Sequence, residues 1–186
     1  MTEVSSLTGR LLVATPALAD PNFDRTVVLL LDHDEQGSLG VVLNRPTPVG
    51  VADILEPWAP LAGSPGVVFQ GGPVALDSAL GVAVIPGADG PLGWRRVHGA
   101  IGLVDLEAPP ELLAAALGAL RIFAGYAGWG PGQLEAEITD GAWYVVESEP
   151  GDLAHPDPES LWRAVLRRQP GRLAFLATWP EDPGLN

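Results

Sequence analysis

Gln133 and Glu137 stand four residues apart, a spacing that puts an amide and a carboxylate on one face of a helix. Before them runs Gly125-Tyr126-Ala127-Gly128-Trp129-Gly130-Pro131-Gly132. Its glycines permit positive φ or a close backbone approach, and Pro131 suits the first turn of a helix. A buried strand over Leu120–Ala124, a glycine-rich loop over Gly125–Gln133 and a helix start would aim several N–H groups at one spot. That arrangement favours an anion. Tyr126 and Trp129 would supply its apolar wall, and Gly128 would let a ligand come near the backbone. The loop carries neither a lysine nor a nucleophile, so it also suits a plain strand-to-helix corner.

A second polar group is Asn44-Arg45-Pro46. Proline keeps the preceding residue extended, so Arg45 projects from the end of a strand. Its guanidinium fork matches a carboxylate or a phosphate with two hydrogen bonds. A carboxylate of the same chain, such as Asp20 or Glu137, would satisfy it equally. Asp20 itself fits a turn cap or a general base. His33, between Asp32 and Asp34, sits where carboxylates favour a charged imidazole. Neighbours on a turn do not converge, so a solvated hairpin tip is expected there. The same run imitates a calcium loop, but Leu43 occupies the place of the bidentate glutamate; no metal site is expected. No cofactor-binding motif and no catalytic template is present: no nucleophile elbow, no Walker lysine, no His-Glu-x-x-His.

The elements that must position these residues come next. The chain has 186 residues, 47% of them hydrophobic and 18% charged, enough for one domain with a sizeable core. Strands are expected at Gly9–Ala14, Thr26–Leu31, Ser38–Leu43, Val67–Gln70, Leu80–Ile85, Ile101–Val104, Ala119–Ala124 and Trp143–Glu147. The second and third form a hairpin across a polar turn, Asp32–Gly37. Helices are expected at Val51–Trp58, Pro109–Leu117, after Pro131, and from Asp157 to Arg168, the last with Leu161, Trp162, Val165 and Leu166 buried. Gly87–Arg95 reads as a loop. Leu173–Ala177 and Trp179 are expected to dock, and residues 180–186 to form a loose tail on a core of about 7–179.

Charge narrows the function classes. The formal net charge is −13, and all ten basic residues are arginine. An acidic chain repels phosphate backbones, which argues against direct nucleic-acid binding. The basic cluster Arg163, Arg167, Arg168 and Arg172 also complements a helix C-terminus with no partner at all. Zero cysteines remove disulfides and thiolate chemistry, and no segment has the length and apolarity of a membrane span. A cytoplasmic protein is expected.

Four blocks stand in a fixed order: Asp20-Pro21-x-Phe23-x-Arg25 with Val27–Leu30; Gly37-x-Leu39-Gly40-x-x-Leu43-Asn44-Arg45-Pro46; Gly71-Gly72-Pro73-Val74; and Gly125-Tyr126-x-Gly128-Trp129-x-x-Gly132-Gln133-Leu134-x-x-Glu137. Together they resemble the AlgH/YqgE family of bacterial proteins, from about Leu7 to Trp162. The resemblance implies a single α+β domain with a mixed, largely antiparallel, curved sheet flanked by helices. Its members are often labelled transcriptional regulators, with no established biochemical activity.

The leading expectation is a non-enzymatic regulatory domain that binds a small anionic ligand or a protein partner. Its site would join Asp20, Asn44 and Arg45 to Tyr126, Gly128, Trp129, Gln133 and Glu137. One alternative is a hydrolase of phosphorylated or carboxylated substrates with Glu137 or Asp20 as general base. Another is a transcriptional regulator that touches DNA through the Arg163–Arg172 cluster.

Overall fold

The computed structural model describes residues 6–178 apart from Ala19, Asn22 and Ala88. Trp179 and the expected tail therefore lie outside the described residues. The strands are β1 (Leu11–Ala14), β2 (Val27–Asp34), β3 (Gly37–Val42), β4 (Pro46–Gly50), β5 (Val67–Gln70), β6 (Val74–Val84), β7 (Trp94–His98), β8 (Ile101–Val104), β9 (Ala119–Trp129) and β10 (Trp143–Val146). They form one sheet in the order β10-β1-β2-β3-β9-β6-β8-β7, with β5 paired to β9 beside this path and β4 paired to β5. All pairings are antiparallel except β5 with β9. The sheet is curled into a half-barrel, as expected for a mixed, largely antiparallel α+β domain.

Both faces of the sheet are covered, which is why its central strands read as unbroken aliphatic runs. The concave face carries Leu11, Val13, Leu29, Val41, Phe69, Val82 and Phe123. Short helices α4 (Pro150–Leu153), α5 (Leu161–Arg167) and α6 (Leu173–Leu176) close one end of it through Leu153, Leu161, Trp162 and Val165. The convex face has two covers. Helix α3 (Gln133–Thr139) packs Leu134 against Leu12, Val28, Leu30 and Val42. Helices α1 (Val51–Ile54) and α2 (Glu111–Ala114), with a 3-10 turn at Glu56–Leu61, cover Val68, Ala83, Leu120 and Ile122.

Several elements differ from the sequence reading. The hairpin of β2 and β3 is longer, with only Glu35 and Gln36 between the strands, because Asp32 and Asp34 are polar on the side facing water. Strand β7 occupies the end of the expected loop at Gly87–Arg95 and continues to His98. Strand β9 runs on through Gly125 to Trp129, so the turn is confined to Gly130–Gly132. The expected Pro109–Leu117 helix is cut to α2.

Candidate functional site

The open end of the concave face is a cleft of about 500 Å³. Six neighbouring strands each contribute to it: Leu31 and Asp32 from β2, Leu39 from β3, Tyr126 from β9, Leu80 from β6, Leu103 from β8, and Arg95, Arg96 and Val97 from β7. Thr8, just before β1, completes the rim.

Two departures from strict alternation aim these side chains inward. In β2 the register jumps from Leu30 opposite Gly40 to Asp32 opposite Leu39, leaving Leu31 as an extra residue. Such a bulge turns two consecutive side chains toward one face, here Leu31 and Asp32. In β9, Leu120, Ile122 and Ala124 face the convex side, yet Tyr126 faces the concave one. Between them Gly125 has φ 72°, a left-handed conformation that resets the alternation at little cost for glycine. Trp129 consequently lies on the convex face, buried with Leu134 and Trp143. Tyr126 and Trp129 therefore do not form one wall.

Charged side chains of both signs border the cleft. Arg96 donates to the carbonyls of Gly99 and Gly87 and lies over Trp94 at 5.0 Å. Arg95 and Asp32 have neither a side-chain hydrogen bond nor an ion pair among the described residues. Elsewhere two arginines meet carboxylates: Arg168 grips Asp152 through two bonds of 2.6 Å, and Arg10 meets Glu147 at 3.3 Å. The bond to Asp152, aided by Glu149, raises the Arg168 pKa.

The polar groups of the glycine-rich block bind one another. Glu137 Oε1 accepts from Trp129 Nε1 at 3.1 Å and from Trp143 Nε1 at 3.0 Å. Glu137 Oε2 accepts from Gln133 Nε2 at 3.0 Å, and Gln133 Oε1 accepts from the Gly130 amide at 3.0 Å. Phe23 rests on both indoles, with centroids 6.1 Å from Trp129 and 5.5 Å from Trp143. This is a carboxylate tying a turn and a strand to α3. Gly128 is exposed on the concave side of β9, with Tyr126 as its neighbour.

Asn44 is likewise joined to the sheet. Its Oδ1 accepts from the Val27 amide at 3.0 Å, and its Nδ2 donates to the Arg25 carbonyl at 2.9 Å. The side chain thus continues the β2–β3 ladder beyond Val42. Arg45 donates to the Asp24 carbonyl at 3.2 Å. Burial lowers its pKa, opposed by the nearby charges of Asp24 and Asp20. Asp20 starts the expected turn, its carbonyl accepting from the Phe23 and Asp24 amides at 2.9 and 2.8 Å. The segment Asp20–Arg25 therefore sits between Arg45 and the Trp129–Trp143–Glu137 network. Six of the expected residues (Asp20, Asn44, Arg45, Trp129, Gln133 and Glu137) lie in or beside this segment or at the α3 turn, while Tyr126 opens into the cleft and Gly128 lies beside it on the concave side.

His33 corrects the expected solvated tip: it is 4% exposed. The strand extends past it, so His33 faces α3 while Asp32 borders the cleft and Asp34 is exposed. Its Nδ1 lies 2.6 Å from Ser38 Oγ, and its Nε2 is 4.0 Å from Glu135. Among the described residues no three His, Asp or Glu side chains converge to hold a metal ion. No helix there is long and apolar enough to cross a membrane. The basic cluster is divided, with Arg168 held by Asp152 and Arg163 donating to the Ala177 carbonyl. Sequence reasoning missed Arg95 and Arg96, although an Arg-Arg pair in so acidic a chain is a usable signal.

A half-barrel sheet plugged by helices at one end and open as an apolar cleft at the other is the class that this fold and site define. The chain belongs to the AlgH-like family (DUF179), whose profile matches residues 11–174. It is 83% identical over 190 residues to a UPF0301 protein of Streptomyces avermitilis, covering all of this chain and 98% of the relative. A UPF0301 protein of Thermobifida fusca is 50% identical over 190 residues, covering 97% and 96%. A crystal structure of a Corynebacterium diphtheriae protein matches with a TM-score of 0.89 at 32% identity, covering 96% of this chain and 95% of that one. The solution structure of AlgH from Pseudomonas aeruginosa matches with a TM-score of 0.69 at 31% identity, covering 98% of each.

Proposed function

We propose that this protein is a small-molecule-binding regulatory domain whose ligand lies in the concave cleft, with an apolar body on Leu31, Leu39, Leu80 and Leu103. The observation that carries the reading is the cleft itself: about 500 Å³, floored by aliphatic side chains, with Tyr126 and Arg95 at its wall. Ligand sites are commonly concave, largely apolar and equipped with a few placed polar groups, in a range of roughly 300–1,000 Å³. Binding is favoured over hydrolysis because Glu137, the carboxylate best placed by sequence for a base, accepts three hydrogen bonds from its own protein.

The test uses a neutral apolar dye, N-phenyl-1-naphthylamine, whose emission rises in apolar surroundings. Wild-type protein should bind it, and Leu80→Glu should weaken binding about tenfold or more by placing a charge on the floor. Far-UV circular dichroism checks that the variant keeps its fold. Equal dye affinity in wild type and a folded Leu80→Glu variant would move the site elsewhere.

A further inference from the structure

The buried pair His33 and Ser38, at the tip of the β2–β3 hairpin, has no part in the cleft's apolar floor. We infer that Ser38 is a nucleophile, with His33 as its general base and Glu135 as the group that orients His33, and that the site accepts small uncharged acyl esters.

His33 and Ser38 are direct cross-strand partners, so their side chains share one face of the hairpin. His33 Nδ1 and Ser38 Oγ are 2.6 Å apart, and the imidazole is buried. The other ring nitrogen, Nε2, lies 4.0 Å from the carboxylate of Glu135, in the first turn of α3. That carboxylate decides the tautomer. A proton on Nε2 presents a hydrogen to Glu135 and a lone pair to Ser38. A proton on Nδ1 would leave a lone pair facing a negative charge. The first arrangement is favoured, and the Ser38 hydroxyl then donates to Nδ1. A hydroxyl bonded to an imidazole whose far nitrogen faces a carboxylate is how a serine is activated. At 4.0 Å the Glu135 contact is longer than a hydrogen bond, as catalytic contacts often are before substrate binds.

Ser38 also borders a hollow of about 310 Å³, with Asp32, Asp34, Gln36, Gly37 and Trp129. Asp32 borders both this hollow and the cleft, but Ser38 lines only the hollow. Gln36 is exposed, and its side-chain amide has no described hydrogen bond. It can donate to the carbonyl oxygen that becomes negative during attack. Asp32 and Asp34 disfavour phosphorylated or carboxylated esters, and the modest volume favours a short acyl group.

The reaction balances without a co-reactant other than water. Ser38 Oγ bonds to the ester carbonyl carbon while His33 Nδ1 takes its proton. The bond from that carbon to the alcohol oxygen breaks, and the leaving oxygen collects the proton from His33. Water repeats the sequence on the acyl-serine, which releases a carboxylic acid and returns a proton to Ser38 Oγ.

The experiment treats the full chain with a fluorophosphonate probe, which bonds to activated serines, and with p-nitrophenyl acetate. Peptide mass spectrometry should place the probe on Ser38, and Ser38→Ala should abolish labelling and ester turnover. His33→Gln should slow both by about a hundredfold or more. Glu135→Ala should lower kcat about fivefold, the size of one part-exposed charge pair, with KM unchanged. The Glu135 side chain is 45% exposed, so this variant tests the relay in an intact fold, which far-UV circular dichroism verifies. Nitrogen NMR of the imidazoles separates orientation from packing: His33 should be the Nε2–H tautomer in wild type and lose that preference in Glu135→Ala. A probe found on another serine or on none overturns the inference, as does labelling of Ser38 at the same rate in a folded His33→Gln variant. Tautomer and kcat both unchanged in Glu135→Ala overturn the role of Glu135.

Discussion

Gly9 and His98 meet so closely that a Cβ on Gly9 would lie 2.2 Å from His98 Cγ. One residue leads into β1 and the other ends β7, the last strand of the sheet. Their contact marks how far the sheet has curled, and it is what lets Thr8 and β7 border the same cleft as β2. Gly9 also has φ 86°, where a side chain is strained whatever the space. Gly9→Ala should destabilise the fold by about 1–3 kcal/mol and lower dye affinity in the cleft. His98→Gly removes the ring and the Cβ, which would lie 2.4 Å away, but not the backbone strain, so the double variant should regain part of the loss. A urea-denaturation double-mutant cycle measures this coupling, and strictly additive effects would show that the two residues act independently.

Glu137 carries the second prediction. Two indoles, Trp129 at 6% and Trp143 at 3% exposure, direct their N–H groups to one carboxylate oxygen. A buried donor left without a partner costs about 1–3 kcal/mol. Glu137→Leu should therefore cost about 3 kcal/mol, and Glu137→Gln, which keeps one acceptor oxygen, about half of that. Equilibrium unfolding followed by tryptophan emission gives both values. A Glu137→Leu variant within roughly 0.5 kcal/mol of wild type would show that the network is not structural.

The sequence signals that found the fold and those that missed the cleft have different physical origins. Buried strands announce themselves as aliphatic runs, so Val27–Leu31, Val67–Gln70 and Ile101–Val104 were legible. The blocks Gly71-Gly72-Pro73-Val74 and Gly125-Tyr126 are distinctive because they touch: a Cβ on Gly72 would lie 2.2 Å from the Tyr126 carbonyl carbon. That contact joins residues 72 and 126, far apart in sequence, and leaves no local pattern. The parity change at Gly125 likewise hides which face Tyr126 takes. Strand β7 was concealed because Trp94-Arg95-Arg96-Val97-His98 follows a glycine-rich stretch and has only partly buried positions.

Asn44 shows how a polar residue at a strand end can serve the backbone instead of a ligand. It supplies an acceptor to Val27 and a donor to Arg25, whose φ is 55°. Asn44→Ala should cost about 2 kcal/mol by leaving both groups without partners. Asn44→Asp keeps the acceptor and loses only the donor, so it should cost less. Amide exchange at Val27 provides a direct readout: it should accelerate in Asn44→Ala and stay near wild type in Asn44→Asp. Unchanged protection in both would remove Asn44 from the ladder.

Arg121 allows a prediction with a definite sign. It is 2% exposed, lies 4.2 Å over Phe69, and donates to the Ser64 carbonyl at 3.0 Å and the His155 carbonyl at 3.5 Å. No carboxylate pairs with it among the described residues. Burial pushes its pKa down to about 10, because the folded protein solvates the charge less well than water does. Below that value both states hold the proton, and the native state bears the full desolvation cost. Above it the native state releases a proton that the unfolded chain keeps up to the ordinary guanidinium range. Stability from this group therefore rises with pH across that window. Arg121→Met lacks the titration, so the stability of wild type relative to the variant should increase between pH 9 and 11, by up to about 1.4 kcal/mol per pH unit. Urea denaturation of the pair at several pH values makes the comparison, and a difference that is flat or falls with pH would mean that Arg121 is solvated as well in the fold as outside it.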